Sequence, residues 1–512
     1  MTTEMSQVGQ SQYGSNYGSH YGGGAGTTAY NKPKFTRTGT KVDIQGQEAA
    51  APPKNPQVEV EEIERARGEQ IAFVVLLVLF EVAMLIIMGV WFDYVSDAAA
   101  IVENKELYPY IRDVFIMVVV GFGFLMTFLR RCGFSSLGFT LLITAMVTQW
   151  SLIVGAFFKT VNVTTTFDPA YSVGMEDVLD GLFCSATVLI SYGAIIGKTT
   201  PTQLLLMMFI EPMFFWVNVY VILMQLEVYD IGGGYTIHTF GAIYGLSLCW
   251  FFSSKKFHGH ADNTSAYLSD VTSLIGTTFL FIMWPSFNAV LAHDRAHIIA
   301  LINTFYSLMG ATAATFLISR MFPDGKIEIV CVQNSVLAGG VVMGCAAHLD
   351  ITIAGATASG FIAGCASTLG FRKLLRILDR YLHIQDVCGI VNLHGIPGIL
   401  SGLVSIIAAG ALCDSPNDFA HGCTQAAYQT AGLFISIGFA LAGGVITGLI
   451  SRYMLAKLNH LAVYQLFNDQ PFFHSPTDYD MTGMFLISLV SLSLILCVLI
   501  FFSFFLFSST CS

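Results

Sequence analysis

Two histidines occupy equivalent positions in a pair of similar segments, 230–240 and 386–396. In both segments an aspartate, a glycine, an aliphatic residue and a histidine fall at the same offsets. The histidines are His238 and His394, 156 residues apart. An imidazole can donate a hydrogen bond from one ring nitrogen and accept one at the other. Two facing imidazoles can therefore share one hydrogen bond and still offer polar atoms to a small solute.

The chain that carries these histidines is strongly apolar. Hydrophobic residues make up 54% of its 512 residues and charged residues only 11%, whereas soluble proteins have about 25% charged residues. This composition predicts a chain mostly embedded in a lipid bilayer. The sequence has no basic stripe for nucleic acid, no Cys or His cluster at metal-ligand spacing, and no nucleophile–base pair or phosphate loop. We therefore expect no metal, no cofactor, no nucleic-acid partner and no enzymatic activity.

Apolar runs of about 20 residues, the length that crosses a bilayer as a helix, recur from Ile71 onward. We predict an all-α polytopic membrane protein with about twelve transmembrane helices. Their predicted ranges are 70–91, 112–130, 137–158, 178–197, 203–226, 235–254, 268–288, 298–319, 330–349, 352–371, 391–411 and 430–451. Residues 484–508 form a candidate thirteenth span.

Composition divides the chain into four parts. Residues 1–67 are polar and low in complexity, which predicts a disordered tail. Residues 68–455 hold the twelve predicted helices, and 456–483 form a predicted cytoplasmic segment. Residues 484–512 are an extra hydrophobic segment, and the sequence leaves open whether it spans the membrane.

The distribution of Lys and Arg predicts a cytoplasmic N-terminus. The predicted loops on the N-terminal side hold most of these residues, which is the pattern of cytoplasmic loops. The opposite loops hold only Lys105, Arg112, Lys159 and Arg295.

Two features of the opposite, extracellular loops follow from this orientation. Asn162 begins an Asn-Val-Thr sequon and is a candidate glycosylation site. Cys413 and Cys423 share one polar loop, so a disulfide between them is a possibility that the sequence leaves open.

Five predicted helices separate the two histidine segments, so the two copies run antiparallel through the membrane. This predicts a 5+5 inverted repeat with one extra N-terminal helix and a binding site near the bilayer midplane. His238 and His394 then face each other between the halves. One intramembrane histidine is as often a packing residue as a functional one, but two at matching positions favour function. Asp230 and Asp386 precede their helices, and we expect them to act mainly as helix caps and only secondarily to attract a cation.

A facing histidine pair in an apolar pore suits one solute in particular. Charging either ring in such a pore is costly, so we expect the pair to stay neutral. Ammonium loses much solvation on entering apolar surroundings, whereas neutral ammonia loses little. A narrow hydrophobic pore with a few hydrogen-bonding nitrogens is therefore expected to pass ammonia and to block ions.

The two histidine segments and several further motifs resemble the Rh glycoprotein branch of the ammonium transporter superfamily. The similarity covers about residues 70 to 455, and the motifs occur in the same order as in that family, which makes the resemblance specific. The matching motifs are 233–242 and 392–398 around the histidines, and 120–128, 284–288, 333–340 and 383–386 elsewhere.

The resemblance implies a channel for ammonia or ammonium, with methylammonium as an analogue, in the plasma membrane. It implies a homotrimer with a separate pore in each protomer, and it identifies His238 and His394 as the pore histidines. It further implies that Phe183 and Phe287 constrict the outer pore. Asn334, in the motif 333–340, is a candidate supporting residue.

Three other functions remain open at this point. The chain could be a non-conducting structural protein, a membrane sensor of ammonium, or a channel for carbon dioxide. The presence of both histidines argues against the first of these. Nothing in the sequence separates transport of ammonia from transport of ammonium as ammonia plus a proton.

Overall fold

The computed structural model describes residues 34–35, 41–42, 56–163, 171–254, 257, 259–413, 419–454 and 461–475. The predicted tail lies mainly outside these residues, and the candidate span at 484–508 lies wholly outside them. In a first unit, Met1–Asn55, the strand Lys34–Phe35 pairs antiparallel with Lys41–Val42. The helices belong to a second unit, Pro56–Ser512.

The described part of the chain contains ten helices long and apolar enough to cross a membrane, together with one shorter apolar helix at Ile329–Val342 and a less apolar helix at 234–251. Each of the twelve predicted spans coincides with one of these helices. In chain order they are α1 (Ile63–Trp91), α2 (Asn104–Phe128), α3 (Gly133–Val161), α4 (Met175–Ile195), α5 (Pro201–Gln225), α6 (234–251), α7 (Tyr267–Ala289), α8 (Asp294–Arg320), α9 (Ile329–Val342), α10 (Ile353–Leu382), α11 (Val391–Ala411) and α12 (Gly422–Tyr453).

Helices dominate because hydrocarbon offers no hydrogen-bond partner to a backbone group, and a helix satisfies its own backbone. Hydroxyl side chains inside the bundle follow the same rule. Thr140 donates to the carbonyl of Ser136 at 2.6 Å, and Thr315 donates to that of Ala311 at 2.8 Å. Polar residues can therefore lie within apolar helices without leaving a donor unpaired.

Several helix boundaries differ from their predicted positions, and two of these differences have a local cause. The helix that contains α1 begins at Pro56, inside the range predicted as tail, because residues 56–67 are rich in Glu and Arg, which favour helices. The last predicted turns of α9 are absent, and residues 343–349 form turns instead. The side-chain amide of Asn303 donates to the carbonyls of Ala347 and Leu349 at 2.8 and 3.0 Å. These bonds satisfy carbonyl groups that a continued helix would otherwise have satisfied.

The helices α2–α6 and α7–α11 form the two halves of the predicted inverted repeat, and α1 precedes them. His238 lies in α6 and His394 in α11, which are the last helices of the two halves. The first turns of α6 and α11 contact each other, while α6 also packs against α4 and α12. At one end of the bundle, the strand Phe92–Tyr94 pairs in parallel with Tyr171–Val173.

Candidate functional site

The two sequence-predicted histidines meet at the contact between α6 and α11. The Nδ1 atoms of His238 and His394 are 3.2 Å apart. The ring centroids are 5.2 Å apart and the ring planes are inclined by only 14°, so the two rings are nearly parallel. Both side chains are buried, with 1% and 3% of their surface exposed. The structure therefore joins the two repeat positions in one buried pair.

The local backbone around the two histidines is similar in the two halves of the predicted repeat. Each histidine lies in a π-helical turn, Gly234–Thr239 in α6 and Val391–Gly395 in α11. The described chain has π turns at five other places as well, so a π turn by itself does not mark the site. Each turn is preceded by a left-handed glycine, Gly233 with φ 66° and Gly389 with φ 71°. Other residues adopt this conformation at a cost, so the paired glycines set the path of the chain into both turns.

The two aspartates of the repeat hold the first turns of these helices. The carboxylate of Asp230 accepts hydrogen bonds from the backbone N–H groups of Tyr235 and Thr236, and from the hydroxyl of Thr236 at 2.9 Å. The carboxylate of Asp386 accepts from the N–H groups of Ile390 and Val391, both at 3.0 Å. Both aspartates are buried, and their bonds are those of a helix cap.

The two sequence-predicted phenylalanines lie next to the histidine pair. The rings of Phe183 and Phe287 have centroids 4.8 Å apart and planes inclined by 54°. The ring of Phe287 lies 6.0 Å from that of His238. Both phenylalanines are buried, so four residues from α4, α6, α7 and α11 form one continuous row of rings.

Two further aromatic residues extend this row and were not among the sequence-predicted site residues. Phe122 stacks on His394 with centroids 6.0 Å apart, and the Trp284 ring lies 5.7 Å from His238. Both residues fall inside motifs that carry the family resemblance. Their residue type gave no signal, however, because the chain contains 41 Phe and 5 Trp.

The histidine pair has a defined hydrogen-bonding capacity. Because the Nδ1 atoms are 3.2 Å apart, one of them must carry the hydrogen and the other a lone pair. In the neutral pair, the donating ring keeps a lone pair on its Nε2, and the accepting ring carries a hydrogen there. The pair can thus accept one hydrogen bond at one end and donate one at the other.

Part of this capacity is unused in the structure. The Nε2 atom of His238 is buried and has no hydrogen-bond partner among the described residues, and the same holds for Nε1 of Trp284. Unpaired buried polar atoms are costly in the absence of a ligand. The neighbourhood of His238 is therefore suited to a small polar solute with both a lone pair and N–H or O–H groups.

The other sequence-predicted residues lie apart from this row or outside the described side chains. The amide of Asn334 donates to the carbonyl of Val330 within α9 at 2.9 Å, a local contact that does not link it to the histidines. Cys413 and Cys423 are joined by a disulfide, with Cα atoms 4.6 Å apart. The side chain of Asn162 lies outside the described residues. In the part of the chain that the structure describes, no group of three or more His, Cys, Asp or Glu side chains could hold a metal ion.

Comparison with known sequences gives a consistent result. A sequence model of the Ammonium Transporter Family matches residues 73–464. Rhesus-like glycoprotein A of Dictyostelium discoideum is 41% identical over 442 residues, which cover 81% of this chain and 84% of the relative. Ammonium transporter Rh type B of Mus musculus is 38% identical over 442 residues, which cover 81% of this chain and 95% of the relative.

Comparison with solved structures points in the same direction. Rh50 of Nitrosomonas europaea, a channel of the Rhesus family, aligns with a TM-score of 0.63 at 28% identity, over 79% of this chain and 99% of that one. Mep2 of Saccharomyces cerevisiae aligns with a TM-score of 0.58 at 17% identity, over 72% of this chain and 88% of that one. At 17% identity, the match to Mep2 shows a shared fold and no more.

Proposed function

The chain belongs to the ammonium transporter family, and from this premise we propose that it conducts ammonia across a membrane past Phe183, Phe287, His238 and His394. The observation that carries the proposal is the buried histidine pair, whose Nδ1 atoms approach to 3.2 Å at equivalent positions of an inverted repeat. The chain is a multi-pass membrane protein, and the row of aromatic and imidazole rings runs through the interior of its helix bundle.

The apolar character of the row favours neutral ammonia over the ammonium ion. Moving an ion into such surroundings costs far more than moving a neutral amine. We propose that ammonium gives its proton to bulk water on the side from which it approaches Phe183 and Phe287, and that ammonia alone passes these rings. On the far side ammonia takes up a proton again.

The histidine pair offsets the loss of water that ammonia undergoes on the way. The nitrogen lone pair of ammonia can accept a hydrogen bond from the imidazole ring that carries hydrogen on Nε2. The N–H groups of ammonia can donate to the lone pair on Nε2 of the other imidazole ring. Water could make similar bonds, so we propose that the buried phenylalanine rings restrict its entry. We extend the proposal to methylammonium, which would cross as methylamine, a bulkier analogue.

We also propose the assembly, location and orientation that the sequence analysis anticipates. The four proposed pore residues come from one chain, which fits a homotrimer with a pore in each protomer. The distribution of Lys and Arg supports a cytoplasmic N-terminus. We propose that the protein lies in the plasma membrane, with glycosylated Asn162 and the Cys413–Cys423 disulfide on the extracellular side. Chemical cross-linking of the purified protein tests the trimer, and digestion with a glycosidase tests Asn162.

The central test is internal pH in proteoliposomes that are mixed rapidly with an ammonium gradient. Entry of ammonia consumes internal protons, so the native chain is expected to give a fast rise in pH. His238→Ala and His394→Ala each remove a hydrogen-bonding ring. A lost hydrogen bond costs on the order of 1 kcal/mol, which predicts a rate several-fold to tenfold lower.

The matched control is His297→Ala, because His297 is partly buried and bonds to the carbonyl of Ala289 outside the row of rings. Its rate is expected to equal that of the native chain. A native protein that is folded, inserted and no faster than empty liposomes would exclude the proposed channel.

A further inference from the structure

One carboxyl group lies inside the helix bundle, apart from the row of proposed pore rings. Glu211 belongs to α5, and its side chain is fully buried. In the part of the chain that the structure describes, no Lys, Arg or His forms an ion pair with it. Carboxyl groups within membrane helices are rare because they are costly, so Glu211 is a candidate for a functional role.

The carboxyl group of Glu211 contacts a serine hydroxyl on a neighbouring helix. Its Oε1 atom is 2.5 Å from Oγ of Ser191 in α4, and the same Oγ is 2.9 Å from the carbonyl oxygen of Gly241 in α6. The Oε2 atom of Glu211 is buried and has no hydrogen-bond partner among the described residues. Three oxygen atoms in close contact therefore connect α5, α4 and α6.

The number of available hydrogens determines which of these oxygen atoms donates. A serine hydroxyl has one hydrogen, and a backbone carbonyl can only accept. An ionised Glu211 would leave one of the two contacts without a hydrogen of its own, and it would bury a charge without a counter-ion, at high cost. With a hydrogen on Oε1, Glu211 donates to Ser191 and Ser191 donates to Gly241. Both contacts are then hydrogen bonds, and no charge is buried.

The two hydrogen bonds lie where α4 and α6 approach each other closely. A Cβ atom at Gly241 would lie 2.8 Å from the carbonyl oxygen of Thr187, and one at Gly245 would lie 2.7 Å from Cα of Ser191. Two small residues four positions apart let the backbones of two membrane helices come into contact. The spacing between α4 and α6 is therefore set at the level of Ser191.

The same two helices carry two of the four proposed pore residues. In α4, Phe183 precedes Ser191 by roughly two helical turns, and in α6, His238 precedes Gly241 by roughly one turn. A change in the spacing between α4 and α6 at Ser191 therefore moves the ring of Phe183 relative to that of His238.

We propose that Glu211 carries a proton at neutral pH and is a positioning residue for the pore. Through Ser191 it holds α4 against α6, and this contact sets the spacing between Phe183 and His238 that limits the size of the solute. The effect on solute passage rests on the proposed function, whereas the proton on Glu211 does not.

Infrared spectroscopy of the purified full-length protein at neutral pH tests the proton. A protonated carboxyl group has a carbonyl stretching band that a carboxylate lacks. Glu211→Gln gives an amide of nearly the same shape that can still donate to Ser191, so the variant is expected to fold. The spectrum of the native chain minus that of the variant is expected to contain this band. Carboxylate bands in its place overturn the proposal, whether or not the protein conducts ammonia.

The ratio of the entry rates of methylamine and ammonia in proteoliposomes tests the positioning role. Glu211→Met keeps a side chain of similar length but removes the donor. It is expected to raise the ratio several-fold, because α4 and α6 are no longer joined through Ser191 and the larger solute gains more from a looser passage. Glu211→Gln keeps a donor and is expected to keep the native ratio.

The matched control is Asn303→Leu, because Asn303 is also buried but its amide bonds to the carbonyls of Ala347 and Leu349 and not to α4 or α6. It is expected to lower the apparent Tm and to leave the ratio unchanged. A native ratio in Glu211→Met, or an equal rise in Asn303→Leu, overturns the positioning role. A native chain that does not conduct also excludes that role, while the infrared band still decides where the proton lies.

Discussion

His238 and His394 occupy equivalent repeat positions but have different neighbours. His238 lies beside Trp284 and Phe287, with ring centroids at 5.7 and 6.0 Å, whereas His394 stacks on Phe122. An aromatic face attracts a ring edge or a donor and shields the imidazole from water. The two ends of the pair therefore have chemically distinct surroundings.

Phe183 and Phe287 are proposed to limit the size of the solute that can pass, and substitution of either residue tests this. Phe183→Ala or Phe287→Ala removes one of two adjacent rings and widens the proposed passage beside His238. We expect permeability to methylamine to rise several-fold relative to ammonia, because a larger solute gains more from the added space. The measurement is the rate of internal pH change with each amine in proteoliposomes.

A buried phenylalanine elsewhere separates this effect from loss of packing. Phe215 is 3% exposed and contacts Trp216 and Phe240 rather than the proposed pore. Phe→Ala in a core costs about 3 to 5 kcal/mol, so Phe215→Ala is expected to lower stability without changing the ratio of the two rates. If it changes the ratio as much as Phe287→Ala does, the constriction is not at Phe183 and Phe287.

At the scale of elements, both histidine helices start in the same way. In each helix a left-handed glycine precedes a π-helical turn. A buried aspartate, four residues before the turn in α6 and five residues before it in α11, accepts hydrogen bonds from backbone N–H groups at the start of the helix. A π turn places its side chains at a different angle from an ordinary helical turn. The shared start therefore gives both imidazoles the orientation in which their Nδ1 atoms meet.

Substitution of the left-handed glycine tests this role. A Cβ atom at Gly233 would lie 2.3 Å from Cδ1 of Ile237, whereas a Cβ at Gly325, which has φ 58°, would meet nothing within 4 Å. Both Gly→Ala variants bear the backbone cost of about 1 to 2 kcal/mol, but only Gly233→Ala adds a clash inside the first turn of α6. We expect a lower apparent Tm and slower ammonia entry for Gly233→Ala, measured on purified protein and in proteoliposomes.

Gly325→Ala serves as the matched control, with a small loss of stability and an unchanged rate of ammonia entry. Equal effects of the two substitutions would mean that backbone strain alone matters and that the geometry of the α6 turn does not control the pore.

At the scale of the whole molecule, residues 461–475 contact the neighbouring helices α3 and α4 at one end of the bundle, although the segment lies far from both in sequence. The backbone N–H of Phe467 donates to the carbonyl of Gly197 after α4 at 2.8 Å. The carboxylate of Asp469 accepts from the N–H groups of Phe134 and Ser135 at the start of α3, both at 2.8 Å. The segment thus holds the end of one helix against the start of another.

Phe467 is the anchor of this segment, because its side chain is fully buried. Phe467→Ala is expected to cost about 3 to 5 kcal/mol, enough to release the segment. The expected result is faster hydrogen–deuterium exchange in residues 461–475 and at the start of α3. Tyr464→Ala, at a side chain that is 53% exposed, should leave exchange unchanged. Slow exchange in the Phe467 variant would show that other contacts hold the segment.

The sequence by itself predicted the approximate positions of the membrane helices and the repeat that carries the two histidines, because hydrocarbon thickness fixes the length of an apolar helix and the repeat marks the matching positions. It also pointed to Phe183 and Phe287 through motif resemblance. It did not determine that His238 and His394 approach to 3.2 Å, that Phe122 and Trp284 flank them, or that Glu211 contacts Ser191 on a neighbouring helix. These contacts join residues far apart in the chain, and they depend on how side chains from separate helices pack, which only the tertiary structure decides.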